Sequence, residues 1–321
     1  MFRQFKFVLI LALLLIPQFS AAQTAYPTKP IRLVIPYPPG GTTDVIARVI
    51  APKYGQALGQ RFIVENRAGA TGSIGADNVA KSAPDGYSML LHTSSYTTNA
   101  AVQPNLPFDP IQDLTAVGMI CKGALALVVH PSLPVKTVKE FVALAQSRPN
   151  QLAFSSAGAT SIQRFATELF MKQTKTSMLH VPYKGIAPAV TDLVAGQVQV
   201  LIGSISGVQT QVDAKRLRVI AVTSPKPTAM MPGVPTMIEA GLPKYSVELW
   251  WGLLVPGKTS DAIIRRLNAE LQKILTDEDI KQQIVKFGAE AAPMTAAEFQ
   301  QIIVTDIQNW KAIAREQGIK E

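Results

Sequence analysis

Short β-branched runs alternate along the chain with segments whose apolar positions recur at helical spacing. Ile31 to Ile35 is the first run and reads as a buried strand. Pro38-Pro39-Gly40-Gly41 forms a turn after it, and Thr42 or Thr43 is suited to cap a helix carrying Asp44 in its first turn. Val45, Val49 and Leu58 give that helix its apolar positions. Arg61 to Glu65 predicts a second strand. A glycine-rich turn at Gly69, Gly72 and Gly75 opens a helix through Ala83, and Tyr87 to Leu91 predicts a third strand. This βαβαβ order is that of a parallel sheet with both faces covered.

A long apolar segment, Val117 to Val129, is punctuated only by Lys122-Gly123 and reads as an extended crossing. A second α/β unit follows. Its helices are predicted at Val138 to Ser147, Ile162 to Lys172, Ala187 to Ala195 and Val208 to Ala214. Its strands are predicted at Gln151 to Ser155, Met178 to Val181, Val198 to Ile202 and Leu217 to Val222. Ser246 to Val255 reads as a return crossing. Helical spacing then occupies Asp261 to Thr276, Asp279 to Phe287 and Ala296 to Gln317, with Ser260 and Thr295 as caps. The last helices are expected to pack on the first unit. The chain thus divides into residues 23–122 with 250–321 as one lobe and 123–249 as the other.

The N-terminus has the form of a secretory leader. Arg3 and Lys6 precede an apolar run from Phe7 to Ile16, Pro17 breaks it, and Ser20-Ala21-Ala22 suits cleavage before Gln23. The run is too short for a membrane-spanning helix, which needs about 20 residues. Residues 1–22 are therefore read as a signal peptide, and the remaining protein as periplasmic. The 321 residues are 47% hydrophobic, enough for a sizeable core, and carry a formal charge of +9, of which +7 remains without Arg3 and Lys6. The excess suits an acidic small molecule. Nucleic acid is not expected, because the Lys and Arg residues are scattered and no basic-aromatic motif is present. The one cysteine, Cys121, reads as a small buried hydrophobe.

The motifs of catalysis are missing. His92, His130 and His180 lack metal-ligand spacing with one another or with Cys121, and Gly203-Ser204-Ile205-Ser206-Gly207 has Ile where a nucleophile elbow needs Ser. No metal, cofactor or catalytic residue is expected. What remains suits anion capture. Tyr37 and the Gly40-Gly41-Thr42-Thr43 turn offer a close backbone approach, helix-start N–H groups and hydroxyls. Ser155, Ser156, Thr160 and Ser161 repeat that pattern before a second helix, and Tyr183-Lys184-Gly185 does so before a third. Each also has a plain structural reading, as an ordinary βα turn, a packed tyrosine or a solvated lysine.

These turns carry a resemblance. Ile35-Pro36-Tyr37-Pro38-Pro39-Gly40-Gly41-Thr42-Thr43-Asp44 with Arg48, Val64-Glu65-Asn66-Arg67-Ala68-Gly69, Asp85-Gly86-Tyr87, Phe108-Asp109-Pro110, Val181-Pro182-Tyr183-Lys184-Gly185, Ala195-Gly196-Gln197-Val198, Val234-Pro235-Thr236-Met237 and Trp251-Gly252-Leu253 occur in one ordered set. The chain so resembles the Bug family of periplasmic solute-binding proteins of tripartite tricarboxylate transporters. The resemblance implies an α/β, two-lobed periplasmic-binding-protein fold (type II-like) with two crossover segments and a ligand cleft between the lobes. It implies a non-enzymatic monomer that holds a small organic carboxylate and passes it to membrane permease subunits. A ligand-presenting role in a signalling system is the alternative, and an exported enzyme, which would show turnover, a further one.

The resemblance also implies that a Thr93 to Tyr96 loop, with Thr93, Ser94 and Ser95, completes the pocket beside the residues already named. Two departures stand out. The Ser155 to Arg164 loop lacks the glycine-rich, histidine-containing run of many members and has Gln163 and Arg164 instead. Gly203 stands where relatives often carry an acid, which leaves that turn without a partner for a ligand ammonium. Asp44 reads as structural, and Trp250 and Trp251 as packing residues.

Overall fold

The computed structural model describes residues 26–319; the expected signal peptide and its cleavage after Ala22 lie outside them. Its strands are β1 (Ile31–Ile35), β2 (Phe62–Asn66), β3 (Ser88–Thr93), β4 (Leu114–Val129), β5 (Ala153–Ser156), β6 (Leu179–Pro182), β7 (Val200–Ser204), β8 (Arg218–Val222), β9 (Glu248–Pro256) and β10 (Glu290–Ala291). The helices are α1 (Thr42–Leu58), α2 (Ser73–Ala80), α3 (Ser95–Val102), α4 (Val138–Ser147), α5 (Ile162–Thr174), α6 (Ile186–Val194), α7 (Ile205–Asp213), α8 (Asp261–Thr276), α9 (Glu278–Lys286) and α10 (Ala296–Gln317).

The βαβαβ reading is met by β1, flanked in parallel by β2 and β3. Both crossings are central strands of one sheet, ordered β2-β1-β3-β9-β4-β7-β5-β6. β4 pairs with β9 from Leu114 to Ala124, then lies between β7 and β8 from Leu125 to Val129. One strand thus serves both halves, and its apolar run is explained: almost every position is buried. Cys121 is among them, and burial pushes its thiol up.

Four local expectations need correction. Gly41, not a threonine, caps α1, and neither Thr42 nor Thr43 makes a side-chain cap. The segment expected as a loop at Thr93 to Tyr96 opens helix α3 at Ser95. Helix α7 starts at Ile205 rather than Val208, which makes Ser204 its cap. Thr295 forms a full capping box with Glu298, whereas Ser260 makes no side-chain cap.

The C-terminal helices lie against α1, α3 and β4, and the end of α10 also reaches α5. Trp310 lies edge-on to Phe165 of α5 at 5.5 Å, and Phe165 packs with Ala314 and Ile319. Lys172 pairs with Glu316 beside them. A polar seam joins the halves elsewhere. The Thr98 hydroxyl donates to the Thr160 carbonyl at 2.7 Å, the Thr160 hydroxyl to Asn99 Oδ1 at 2.7 Å, and the Ile162 N–H to Ser95 Oγ at 3.3 Å. Thr42 and Ser206 hydroxyls meet across the cleft at 3.1 Å.

Candidate functional site

Several strand-to-helix turns deliver a helix start to the same place. A cavity of about 230 Å³ lies between the halves, and it is lined by cap or first-turn residues of five helices. Gly41, Thr42 and Thr43 come from α1, Ser95 from α3, Ser161 and Gln163 from α5, Gly185 with Ile186, Ala187 and Pro188 from α6, and Ser204 from α7. The first N–H groups of a helix have no partner within it and carry the positive end of its dipole. Five such starts facing one cleft make a field that favours an anion.

The side chains agree with that field. Lys184 is the only charged residue on the wall, and no carboxylate is there. Lys184 is exposed at the mouth and has no carboxylate within ion-pair distance among the described residues. Asp44, just inside α1, turns away. It accepts from Gly40 N–H at 3.0 Å, from Arg48 Nε at 3.0 Å and from Asn66 Nδ2 at 3.0 Å. Burial alone would raise its carboxyl, but these donors hold it below the ordinary range. Gly40 sits at φ +82°, a left-handed conformation suited to glycine, so the loop turns there and spends that amide on Asp44.

Of the residues singled out in the sequence, Tyr37, Gly40, Gly41, Thr42, Thr93, Ser95, Ser161, Lys184 and Gly185 line the cavity. Ser94, Ser155, Ser156, Thr160, Tyr183 and Gly203 do not. The reasons are physical. Thr160 is spent on the seam with Asn99 and Thr98. Ser156 turns to His180 Nε2 at 2.7 Å, and Tyr183, in the turn before α6, donates to Asp192 of α6 at 2.7 Å. Ser94 and Ser155 are buried with unpartnered hydroxyls off the wall. Gly203 lies under Ile186, and strand alternation presents the next residue, Ser204, instead.

Sequence reasoning missed Thr71, Leu249 and Gln163 as wall residues, and weighed Trp251 as packing. Trp251 does both: it is 2% exposed, its Nε1 donates to Thr43 Oγ1 at 3.2 Å, and one face closes the cavity. Tyr37 braces the opposite wall, its hydroxyl 2.9 Å from Thr93 Oγ1 and 3.3 Å from His92 Nδ1. Among the described residues no group of three or more His, Cys, Asp or Glu is placed to hold a metal ion.

His92 and His180 are both pushed down to about 4. Burial is the main cause for each, and Arg164 adds to it at His180. A histidine with a depressed value binds its proton more readily when unfolded. Their contribution is whole above the ordinary value of 6.5 and is lost as the pH falls from there toward 4. His92 alone is worth up to about 3 kcal/mol over that window, at about 1.4 kcal/mol per unit. The melting temperature is expected to be flat between about pH 7.5 and 6.5 and to fall steadily to about pH 4.5. His180→Asn should make the fall shallower; an unchanged slope in that variant would show that other groups control it.

The model of the family described as "Tripartite tricarboxylate transporter family receptor" matches residues 46–319. Protein BugT of Bordetella pertussis is 36% identical over 297 residues, covering 92% of this chain and 91% of BugT. Among solved structures, that of Rhodopseudomonas palustris Rpa4515 with adipate superposes with a TM-score of 0.87 at 33% identity, covering 92% of this chain and 99% of the other. That of MatC from the same organism, with bound malate, gives 0.83 at 28% identity, covering 90% and 99%.

Proposed function

We propose that this chain, which belongs to the family of tripartite tricarboxylate transporter receptors, captures a small organic carboxylate by closure of its two halves and delivers it to a membrane transporter. The family consists of periplasmic solute-binding receptors and not of enzymes. The observation that carries the carboxylate is the convergence of five helix starts on one cavity whose sole wall charge is Lys184. One helix start contributes about 0.3–2 kcal/mol toward an anion, and micromolar affinity needs about 8 kcal/mol. Several starts, hydroxyl donors and a lysine in a partly dried cleft together reach that range. The adipate and malate held by the two neighbours are the model for the guest.

The mobile units are taken to be residues 23–122 with 250–321, and 123–249, closing as a monomer about β4 and β9. The seam of Thr98, Asn99 and Thr160 and the Thr42–Ser206 contact would hold the closed form. The expected partner is a permease on the periplasmic face of the membrane.

The wall has no acid to balance an ammonium, so deaminated carboxylates are expected to bind more tightly than acidic amino acids. A thermal-shift and calorimetric screen tests both points. Saturating carboxylate, at about a hundred times its Kd, should add about 2.7 kcal/mol of stability. No stabilisation by any di- or tricarboxylate would refute the carboxylate reading. Aspartate or glutamate binding above succinate or glutarate would refute the selectivity.

A further inference from the structure

We infer that Thr71 and Gly158 form the stop that sets how far the two halves close on the ligand, with Thr71 a positioning residue held out on a strained turn; this rests on the reading of capture by closure above. Thr71 lies between β2 and α2, in the first half, and Gly158 between β5 and α5, in the second. Ala70 and Thr71 both have left-handed backbones, with φ of +46° and +50°. A β-branched residue rarely adopts that conformation, and two such residues in succession persist only where their surroundings hold them. Here they are held. The Gly72 N–H donates to the Gly69 carbonyl at 2.9 Å, and the Ser73 hydroxyl to the Ala70 carbonyl at 3.0 Å. Gly72 is packed so closely on His92 that no side chain fits there. Asn99 Nδ2 donates to Ser73 Oγ at 2.6 Å, and Oδ1 of the same amide takes the Thr160 hydroxyl, so the turn is tied to the seam between the halves.

What this turn presents is the Thr71 side chain. It lines the cavity, is half-buried, and its hydroxyl has no hydrogen-bond partner among the described residues. It rests instead on Gly158 across the cleft. A Cβ at position 158 would lie 2.8 Å from Thr71 Oγ1 and 3.3 Å from Thr71 Cγ2, so the threonine fills the space that a side chain there would take. Neither surface yields easily. The Gly158 carbonyl accepts from Ser156 Oγ at 2.9 Å, from Ser161 Oγ at 2.8 Å and from the Ser161 N–H at 3.1 Å, which fixes its loop. The seam and the Thr42–Ser206 pair reward the approach of the halves with hydrogen bonds. The Thr71–Gly158 contact offers no such bond; it is where two anchored segments meet and approach ends.

Calorimetry and a distance measured on the same proteins test this, with succinate, malate and adipate as probes. Spin labels go on cysteines at two exposed positions, Gln56→Cys in α1 and Lys139→Cys in α4; Cys121 is buried and does not compete for label. Ligand should shorten the distance in the otherwise wild-type chain. Gly158→Ala should halt closure short of that distance and weaken each probe that binds by about tenfold. The backbone at 158 also disfavours alanine, but that strain is indifferent to residue 71. Thr71→Gly in the same chain should therefore restore both distance and affinity. Thr71→Gly alone should melt no lower than the wild type, because glycine accepts that φ, and its ligand-bound halves should close further. Normal closure and binding in Gly158→Ala overturn the inference, as does a defect that Thr71→Gly leaves in place. An unchanged ligand-bound distance in Thr71→Gly overturns it too, and decides alone should Gly158→Ala fail to fold. If the wild type binds no carboxylate, or binds one without shortening, the reading of capture by closure falls and the stop with it; if the wild type binds and closes while the variants show no coupling, that reading stands and only the stop is lost.

Discussion

Lys184→Glu should weaken binding of a dicarboxylate by roughly a hundredfold, an effect of about 2.7 kcal/mol. Lys184 is the only charge on the cavity wall, and no carboxylate on the wall balances it. A charge pair at about 4 Å is worth about 1 kcal/mol in water and about 4 kcal/mol at the lower effective dielectric of a protein surface. Because Lys184 is exposed, the smaller figure is nearer, and deletion in Lys184→Met should cost about tenfold. Reversal adds repulsion to that loss. The salt dependence provides the check on mechanism. Wild-type affinity should fall as ionic strength rises, and that of Lys184→Met should fall less. Affinity of Lys184→Glu within threefold or so of wild type would place the lysine outside the recognition of charge.

A large loss of stability is expected from a side chain at Gly252, in the middle of β9. A Cβ there would enter the Phe299 ring on one side and lie 3.3 Å from the Gly118 carbonyl oxygen on the other. Phe299 has no room to yield: it is fully buried and packed edge-on to Trp250 at 5.0 Å. Overpacking of this kind costs about 1–3 kcal/mol and at times more. Gly252→Val, with two further methyl groups, is expected to lose about 3 kcal/mol or more, or to yield no folded protein. Denaturant unfolding measures it. Gly252→Ala alone should be clearly destabilised, and Phe299→Leu in the same chain should recover part of that loss, which identifies the ring as the obstacle. Simple additivity of the two changes would count against it.

Much of this architecture is readable from the chain because burial leaves a plain signature in it. A strand covered on both faces is apolar along most of its length, as β1 is apart from Arg32 and β4 apart from Thr115 and Lys122. A helix on a sheet must be apolar on one side, and α8 and α10 lie where that spacing puts them. Glycine and hydroxyl residues between strand and helix mark the turns that form the site. The finer choices are not readable, because each depends on one step of rotation. Gly203 and Ser204 are neighbours on a strand, and only the fold decides which faces the cavity. Tyr183 and Lys184 are divided in the same way, one bonded to Asp192 and the other on the wall. Thr160 has the look of a ligand donor, yet its partner is Asn99, distant in sequence and brought close only by the meeting of the halves. Gln163 gave a signal as a departure from a familiar run, but nothing local showed that its amide would be buried without a partner.

The seam of Thr98, Asn99 and Thr160 never touches the cavity, and neither does the packing of Trp310 on Phe165. On the proposed closure, this seam would govern how long the door stays shut while most of the wall governs what is held, with Thr42, which lines the wall and meets Ser206, serving both.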